Sequence, residues 1–550
     1  MAKKFLLMLL AVALILSLVA CAGDTTTTTQ DGGQTTAPAT DDTDTDTATA
    51  TPDDSDGEPI QITIGVAEVT GANWAEGESQ EDNLWWRLFK EEHNVEVIVE
   101  WVASEYVTQL NLAITANDLP DAFRCNPVQF NQLVEAGQLE DLYDDYNNYA
   151  SATIKRMMEN NWDIVETAIF DGEMLALPML HYGYETSTPH IWARKDWTDE
   201  QNIVDLETFD DLINMMDTFM EAYDAPYGIM LDRTLGSFYQ LASAFHSYPR
   251  LWLEADDGSI VYGSTLPETR DALEVWAQWY ADGYVRSDFA TLDFAAMLED
   301  AYNGRAGVYA QQNWAGWQVG PDMVNNQNED AYFMSLSMPT IDGAKIMYPI
   351  NFPNGWYQVV RKGYEHPEVL VKLINTYAYI LDDALVEGSM DIEEVLPFNT
   401  NNMHHVTGPF KVEFDHYRDI IEVSTAVHTG VEEFNSGNAY LFYNEIMGYL
   451  NDGELSGLGR YIQMGHHERS SLVRAIKHVD DEHMLFSKMW GAPPQAIRDF
   501  GSTLDDILVE GFTQIITGEQ DISYYDTLIE AWRGAGGDQV TAAVNEEFGN

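Results

Sequence analysis

The sequence predicts a mixed α/β fold that is large enough for two lobes. Several short segments alternate apolar and polar residues, as strands do, and amphipathic helical patterns separate them. The rest of the chain is rich in helical patterns with scattered short strands, and it has no internal repeat of the kind that indicates a solenoid or a propeller. The 550 residues are 45% hydrophobic, which is enough to bury two substantial cores.

The first elements follow a strand–helix–strand–helix order. Residues 60–66 and residues 95–101 alternate apolar and polar side chains and predict two strands. Amphipathic stretches around residues 83–92 and at residues 106–117 predict the two helices. This order is typical of a parallel sheet with right-handed crossovers.

Helical patterns dominate the sequence after residues 171–178, a segment that begins with an Asp-Gly turn and ends in Leu-Pro. The clearest of them are residues 206–222 and residues 269–280. Residues 227–231 are apolar and predict one further strand.

The N-terminus has the pattern of an export signal. Lys3 and Lys4 precede an apolar run, residues 5–20, that is too short to cross a bilayer comfortably. Small residues stand directly before Cys21, and this arrangement resembles the lipobox of bacterial lipoproteins. We therefore expect a signal peptide at residues 1–20 and a lipidated Cys21 that anchors the chain to the outer face of the bacterial cell membrane. The alternatives are an uncleaved anchor helix and a secretory peptide that is cut elsewhere.

Residues 21–58 predict a tether between this anchor and the folded part of the chain. From Asp24 onward the segment consists almost entirely of Thr, Asp, Ala, Gly, Gln and Pro, with no aromatic residue to bury. Such a composition predicts disorder, and random-coil scaling gives the segment a span of about 30 Å.

The charge balance excludes one class of partner. The chain has 91 acidic and 27 basic residues, a formal net charge of −64. Nucleic acid is not an expected partner, because its binding requires a basic surface that neutralises phosphates. Anionic small molecules would be repelled unless positive charge is concentrated at their site.

The chain contains two cysteines, and lipidation of Cys21 leaves Cys125 as the only thiol. No disulfide can then form within one chain. Cys125 is expected to be a small buried apolar residue without a catalytic role.

Several motifs, in this order, resemble the large lipoprotein branch of the extracellular solute-binding proteins of ABC importers (family 1, carbohydrate type). They are the Ala-Asn-Asp-Leu-Pro-Asp turn at residues 116–121, the Asp-Gly to Leu-Pro segment at residues 171–178, the segment at residues 191–197, the helix at residues 206–212, the Gly-Arg-Ala-Gly strand at residues 304–307, and a closing signature at residues 512–546. The resemblance implies two α/β lobes joined by hinge strands, with an interlobe cleft that closes on a small-molecule ligand, most simply an oligosaccharide. It also implies a monomer that works with permease subunits and a separate ATPase.

The resemblance also suggests boundaries for the lobes. We expect the first lobe to comprise residues 59–185 and about 306–375. The second lobe is expected to comprise residues 186–305 and about 376–550.

Candidate ligand-binding residues are aromatic or hydrogen-bonding side chains near expected strand ends and turns, because a sugar offers apolar C–H faces to rings and hydroxyls to polar groups. They are Trp74, Asp121, Arg124, Asp232, Trp314, Trp317, Trp356 and Tyr357. For Asp121 and Arg124 a surface ion pair is an equally good interpretation. Four other tryptophans lie in helical patterns and are expected to be core: Trp85, Trp86, Trp276 and Trp279.

Two common enzymatic motifs are absent from the sequence. There is no Gly-x-x-x-x-Gly-Lys-Ser/Thr loop and no Gly-x-Ser-x-Gly elbow. The histidine pairs at residues 404–405 and 466–467 lack the spacing of a metal site and are expected to be solvated, so we expect neither a metal nor a cofactor. A secreted glycan-active hydrolase and an adhesion lipoprotein remain the alternatives to a solute-binding protein, since carboxylates and aromatic rings also serve sugar hydrolysis.

Overall fold

The computed structural model describes residues 57–549, apart from residues 71, 73, 181–183, 400–402, 412–415 and 467–468. The expected signal peptide, Cys21 and nearly all of the tether lie outside the described residues. From Gly57 onward the chain forms one unit by its internal contacts.

The strands of the described residues are short. They are β1 (Ile60–Ala67), β2 (Val95–Ala103), β3 (Ala122–Cys125), β4 (Ile169–Phe170), β5 (Glu173–Met174), β6 (Leu177–Pro178), β7 (Pro189–Arg194), β8 (Trp252–Glu254), β9 (Ile260–Tyr262), β10 (Val308–Gln312), β11 (Phe333–Leu336), β12 (Tyr348–Ile350), β13 (Tyr357–Val360) and β14 (Met484–Phe486).

Helices make up most of the remaining regular structure. The helices of the first half are α1 (Leu84–His93), α2 (Tyr106–Ala116), α3 (Pro127–Glu135), α4 (Tyr143–Tyr149), α5 (Ala152–Glu159), α6 (Trp162–Val165), α7 (Lys195–Glu200), α8 (Phe209–Ala222), α9 (Gly236–Leu241) and α10 (Pro267–Asp282). Those of the second half are α11 (Phe294–Tyr302), α12 (Ala315–Asn326), α13 (Glu368–Ala378), α14 (Ala384–Glu387), α15 (Ile392–Asn399), α16 (His416–Thr429), α17 (Gly437–Asp452), α18 (Leu458–Arg460), α19 (Ser471–Asp480), α20 (Gln495–Ile516), α21 (Tyr524–Trp532) and α22 (Asp538–Phe548). The mixed α/β class predicted from the sequence is confirmed.

The first sheet has the strand order β2-β1-β3-β13-β6. β1 pairs in parallel with β2 and β3, as the strand–helix–strand–helix order predicts. β13 is antiparallel to both β3 and β6, so the sheet is mixed and not wholly parallel. The sequence pattern misses this reversal because β13 returns from a distant part of the chain.

The second sheet is antiparallel and has the order β10-β7-β11. The expected boundaries assign residues 306–375 to the first lobe, but β10 and β11 both pair with β7 and therefore lie with the second sheet. The lobe boundaries otherwise stay a prediction. Residues 227–231 form no strand; Ile229 makes only an isolated bridge to Val285.

Separate apolar cores support the two sheets. β1 and β2 pack with α1 and α13, and Trp85 and Trp86 of α1 are buried there. The second sheet packs against α8, α10 and the C-terminal helices, with Trp276 and Trp279 in that core. The prediction that these four tryptophans are core residues is confirmed.

Cys125 is fully buried at the end of β3, as expected. Burial raises the pKa of its thiol well above the usual value, which keeps the thiol protonated and unreactive. Among the described residues, no helix combines the length and the apolar character needed to cross a membrane.

Candidate functional site

One pocket contains two of the predicted ligand-binding residues, Asp232 and Trp314. We call it the Trp314 pocket; its volume is about 390 Å³. Its lining is Asp232, Arg233, Thr234, Gly236, Ser237, Asp293, Phe294, Met297, Tyr309, Gln311 and Trp314.

The elements around β10 bring these residues together. β10 ends at Gln312, and the chain turns there into α12, with Trp314 directly before the helix. Met230 donates its backbone N–H to Val308 of β10 at 2.9 Å, which holds residues 227–231 beside this strand and places Asp232 at the pocket. α11 supplies a second aromatic ring, Phe294, to the lining of the pocket.

The aromatic wall of the pocket is held in place by its neighbours. The indole Nε1 of Trp314 donates to Oε1 of Gln312 at 3.1 Å. The Trp314 and Phe294 rings meet edge to face, with centroids 5.9 Å apart. A wall that is already ordered loses little entropy when a ligand stacks on it.

Two carboxylates provide hydrogen-bond acceptors in the pocket. Asp232 accepts from the Thr234 hydroxyl at 2.7 Å and from the Gly236 backbone N–H at 3.0 Å. Asp293 caps α11 by accepting from the Ala296 N–H at 2.9 Å. Each carboxylate has about four lone-pair positions, so both keep acceptor capacity for ligand hydroxyls.

A second group of predicted residues lies at the carboxyl end of β3. The Arg124 guanidinium carbon lies 4.5 Å from the centroid of the Trp356 ring and 5.3 Å from that of Tyr106. Trp356 is half-buried and stands directly before β13. Arg124 and Gln358 are partners across the β3–β13 pair.

Basic residues that the sequence did not single out for binding join this group. Gln358 is fully buried, and its Oε1 accepts the Lys411 backbone N–H at 2.9 Å. The Lys411 Nζ lies 3.3 Å from Nδ1 of His405, and the His404 and His405 rings are 4.0 Å apart. We call Arg124, Trp356, Gln358, His405 and Lys411 the Arg124 cluster. His404 and His405 were visible in the sequence, but only as metal-ligand candidates.

Two other predicted ligand-binding residues, Asp121 and Tyr357, are buried and bonded within the protein. Asp121 is buried and ion-paired with Arg361 at 2.6 Å, and it also accepts from the Thr63 N–H and hydroxyl, each at 2.8 Å. Tyr357 is buried, stacks on Phe130 at 4.2 Å, and shares a 2.6 Å hydrogen bond with Thr167. Because these contacts are internal, we leave Asp121 and Tyr357 out of the proposed site.

The last two predicted ligand-binding residues, Trp74 and Trp317, are not assigned to either group. Trp74 is partly buried and packs against the core of the first sheet. Trp317 lies in α12, but its side chain is outside the described part of the structure. Within the described ranges, no group of three or more His, Cys, Asp or Glu side chains could hold a metal ion.

Comparison with known proteins decides the family. Residues 71–378 match the model of the bacterial extracellular solute-binding proteins, and this match covers more than half of the chain. The chain belongs to this family. The family model describes solute-binding proteins.

Similar proteins and a similar solved structure are consistent with this assignment. The chain is 22% identical over 478 residues to Lipoprotein LipO of Bacillus subtilis (strain 168), covering 82% of this chain and 86% of the relative. It is 20% identical over 474 residues to the polygalacturonan/rhamnogalacturonan-binding protein YtcQ of the same organism, covering 83% and 86%. The structure also resembles an HMO-binding ABC-transporter-associated solute-binding protein from Bifidobacterium longum infantis, with a TM-score of 0.59 and 12% identity over 90% of this chain and all of the other. The similar solved structure has the two-lobed fold of solute-binding proteins.

Proposed function

We propose that this extracellular solute-binding protein captures an oligosaccharide between its two lobes and delivers it to an ABC importer. In the open form the lobes sample the surrounding solution. Stacking and hydrogen bonds to both lobes favour the closed form, which the permease recognises. A separate subunit supplies ATP hydrolysis, because the sequence has no phosphate-binding loop.

The observation that carries this proposal is the composition of the Trp314 pocket. An ordered aromatic pair, Trp314 and Phe294, faces a pocket that also contains the carboxylates of Asp232 and Asp293. Aromatic faces suit the C–H faces of a sugar ring, and carboxylates accept hydrogen bonds from its hydroxyls. The relative YtcQ, named for its binding of polygalacturonan and rhamnogalacturonan, supports the same ligand class.

The proposed location follows from the N-terminal sequence and the family. Cleavage before Cys21 and lipidation of its thiol anchor the mature protein to the outer face of the cell membrane. The tether then holds the folded part close to the permease. Mass spectrometry of the N-terminal peptide tests this step: a Cys21→Ala variant is expected to lack the lipid and to be released into the medium.

Ligand screening with a product assay tests the function. The purified full chain, in mild detergent, is heated with a panel of oligosaccharides, with short peptides as controls. We expect a reproducible rise in Tm for one class of oligosaccharide, since a ligand that binds only the folded state stabilises it. Chromatography of the same samples should show no shortened glycan.

The other outcomes identify the alternatives. Shortened glycans would indicate a glycan-active hydrolase. A rise in Tm with peptides alone would make the ligand a peptide. No rise with any ligand would favour an adhesion lipoprotein.

A further inference from the structure

The Trp314 pocket is closed on the side of the protein core. Ser237, Met297 and Tyr309 line it, and each of these residues is at most 3% exposed. The Tyr309 ring also packs edge to face on Phe333 of β11, with centroids 4.9 Å apart, in the core behind the pocket. We call these three lining residues the floor. A ligand must therefore enter and leave through the solvent-facing side, which we call the mouth.

The floor has few hydrogen-bonding groups to offer a ligand. The Tyr309 hydroxyl donates to the backbone oxygen of Ala315 at 2.7 Å. The Ser237 hydroxyl exchanges two 3.3 Å hydrogen bonds with the backbone of Ala310, and the third floor residue, Met297, is apolar. Such a floor suits the C–H face of a sugar and leaves the hydroxyls of that sugar to be bound at the mouth.

Polar side chains with unused hydrogen-bonding groups lie at the mouth. Arg233 and Asp293 are exposed, and Gln311 is partly buried. Among the described residues, the Arg233 guanidinium makes no hydrogen bond and no ion pair, although the chain has 91 acidic residues. Asp293 uses one carboxylate oxygen to cap α11, and Gln311 uses its Oε1 to accept the next backbone N–H at 3.0 Å. Within the described part of the chain, the other Asp293 oxygen and the Gln311 Nε2 have no such partner.

The position of Gly236 places the unused Gln311 amide at the pocket. Gly236 lines the pocket, and a Cβ built on it would lie 3.9 Å from the Gln311 Nε2. The mouth thus offers two donors, Arg233 and Gln311, and one acceptor, Asp293. A sugar hydroxyl both donates and accepts, so adjacent hydroxyls of one sugar unit can satisfy all three side chains.

The size of the pocket and its unused polar groups favour the end of a glycan chain. The volume, about 390 Å³, is near the lower end of the range for small-molecule sites, roughly 300–1,000 Å³. An internal sugar unit would need both of its glycosidic bonds to leave through the same mouth. A terminal unit needs only one, and it has a free hydroxyl in place of the second bond.

We propose that the Trp314 pocket holds a terminal unit of the oligosaccharide, whose hydroxyls bind Arg233, Gln311 and Asp293 while the rest of the glycan leaves through the mouth. This inference rests on the proposed function and specifies its mode of binding, which is capture by one chain end. A long glycan is therefore bound once, at its end, and no more tightly than a short one that fills the site.

Calorimetry over a range of glycan lengths tests this mode. Linear ladders of maltooligosaccharides, xylooligosaccharides and oligogalacturonates, each with a long soluble chain at its upper end, are titrated into the purified protein in mild detergent. For a ladder that binds, we expect one protein molecule per glycan at every length. Beyond the first few units, the dissociation constant per glycan should change by less than about two-fold, because the number of matching ends stays the same.

Variants assign the glycan end to the mouth of the Trp314 pocket. Arg233→Met should raise the dissociation constant about ten- to a hundred-fold, the effect of losing a hydrogen bond from a charged group. Asp293→Asn should have a similar effect: asparagine caps a helix as well as aspartate does, so α11 keeps its cap, but the free acceptor becomes a donor. Arg87→Met is the matched control, because Arg87 is an exposed arginine on α1 that pairs with two acidic residues and does not line the pocket. Thermal unfolding without ligand shows whether each variant is folded.

The outcomes separate this inference from the proposed function. Several protein molecules on each long glycan, with an affinity per glycan that rises in proportion to length, would show that internal units bind; oligosaccharide capture would stand and capture by the end would not. Wild-type affinity in folded Arg233→Met and Asp293→Asn would overturn the assignment of the glycan end to this pocket. If no ladder binds, the proposed function fails together with this inference.

Discussion

Replacing Trp314 by alanine perturbs the proposed site at its aromatic wall. The Trp314 ring is fixed by the Gln312 side chain and by the edge-to-face contact with Phe294. Trp314 is partly buried, so a ligand can cover only the part of the ring that the protein leaves exposed. Trp314→Ala removes this stacking surface, whereas Trp314→Phe keeps a smaller ring.

The expected loss follows from the covered area. A sugar on one face of the indole removes roughly 70 Å² of apolar surface from water, about a third of what a fully buried aromatic side chain contributes. At about 25 cal/mol per Å², this area is worth about 1.8 kcal/mol. The dissociation constant of Trp314→Ala should therefore rise about twenty-fold, and that of Trp314→Phe about four- to five-fold.

Calorimetry with the best oligosaccharide from the panel measures these constants. Trp162→Ala is the matched control, because Trp162 is 41% exposed on α6 and does not line the Trp314 pocket. Unfolding without ligand verifies that the variants are folded. If folded Trp314→Ala binds within two-fold of the wild type, or if Trp162→Ala loses as much affinity, the pocket is not where the ligand stacks.

Three further predictions concern stability. Burial is the main cause that raises the pKa of Asp419 to about 8, so the folded state keeps a proton that the unfolded state loses near pH 4. As pH rises from about 4 to about 8, the Tm of the wild type should fall relative to the Tm of Asp419→Asn. A difference in Tm between the two proteins that stays constant over this pH range would contradict the prediction. Tyr357→Phe should cost about 1 kcal/mol of unfolding free energy through the lost hydrogen bond to Thr167 and leave oligosaccharide affinity unchanged; a weaker affinity would return Tyr357 to the site. Asn83→Ala should lower the free energy of unfolding in urea by about 1 kcal/mol, because the Asn83 side chain caps α1 by accepting from the backbone N–H groups of Trp85 and Trp86. An unchanged urea midpoint would show that the cap contributes nothing.

Local patterns predicted the start of the fold well. β1, α1, β2 and α2 occur where the apolar periodicity placed them, because a strand with one buried face and an amphipathic helix are visible within ten residues. The pairing of β13 with β3 and the membership of β10 in the second sheet depend on contacts between distant segments. The spacing of apolar residues within one segment cannot predict which distant strand that segment pairs with.

The candidate site was predictable to a similar extent. Residues directly after a predicted strand lie at its carboxyl end, where ligands of α/β proteins collect, and this rule selected Asp232 and Trp314 as candidates. Arg124 was selected for its place after the helix-ending Pro120. The rule could not find Phe294 or Lys411, which reach these places from other segments. Only the folded chain shows that α11 and the residues after α15 lie there.

Strand geometry explains why neighbouring candidates have different environments. Successive side chains of a strand point to opposite faces of the sheet, so two candidates an odd number of residues apart cannot both face the same ligand from a regular strand. Trp356 and Tyr357 at the start of β13 follow this rule, since Trp356 contacts Arg124 and Tyr357 stacks on Phe130. Asp121 and Arg124 around β3 follow it as well, because one pairs with Arg361 and the other stacks on Trp356. No strand was predicted from the sequence at β3, so the parity of Asp121 and Arg124 is visible only in the folded chain. Burial then favours Trp356 and Arg124, which are partly exposed, over the buried Tyr357 and Asp121.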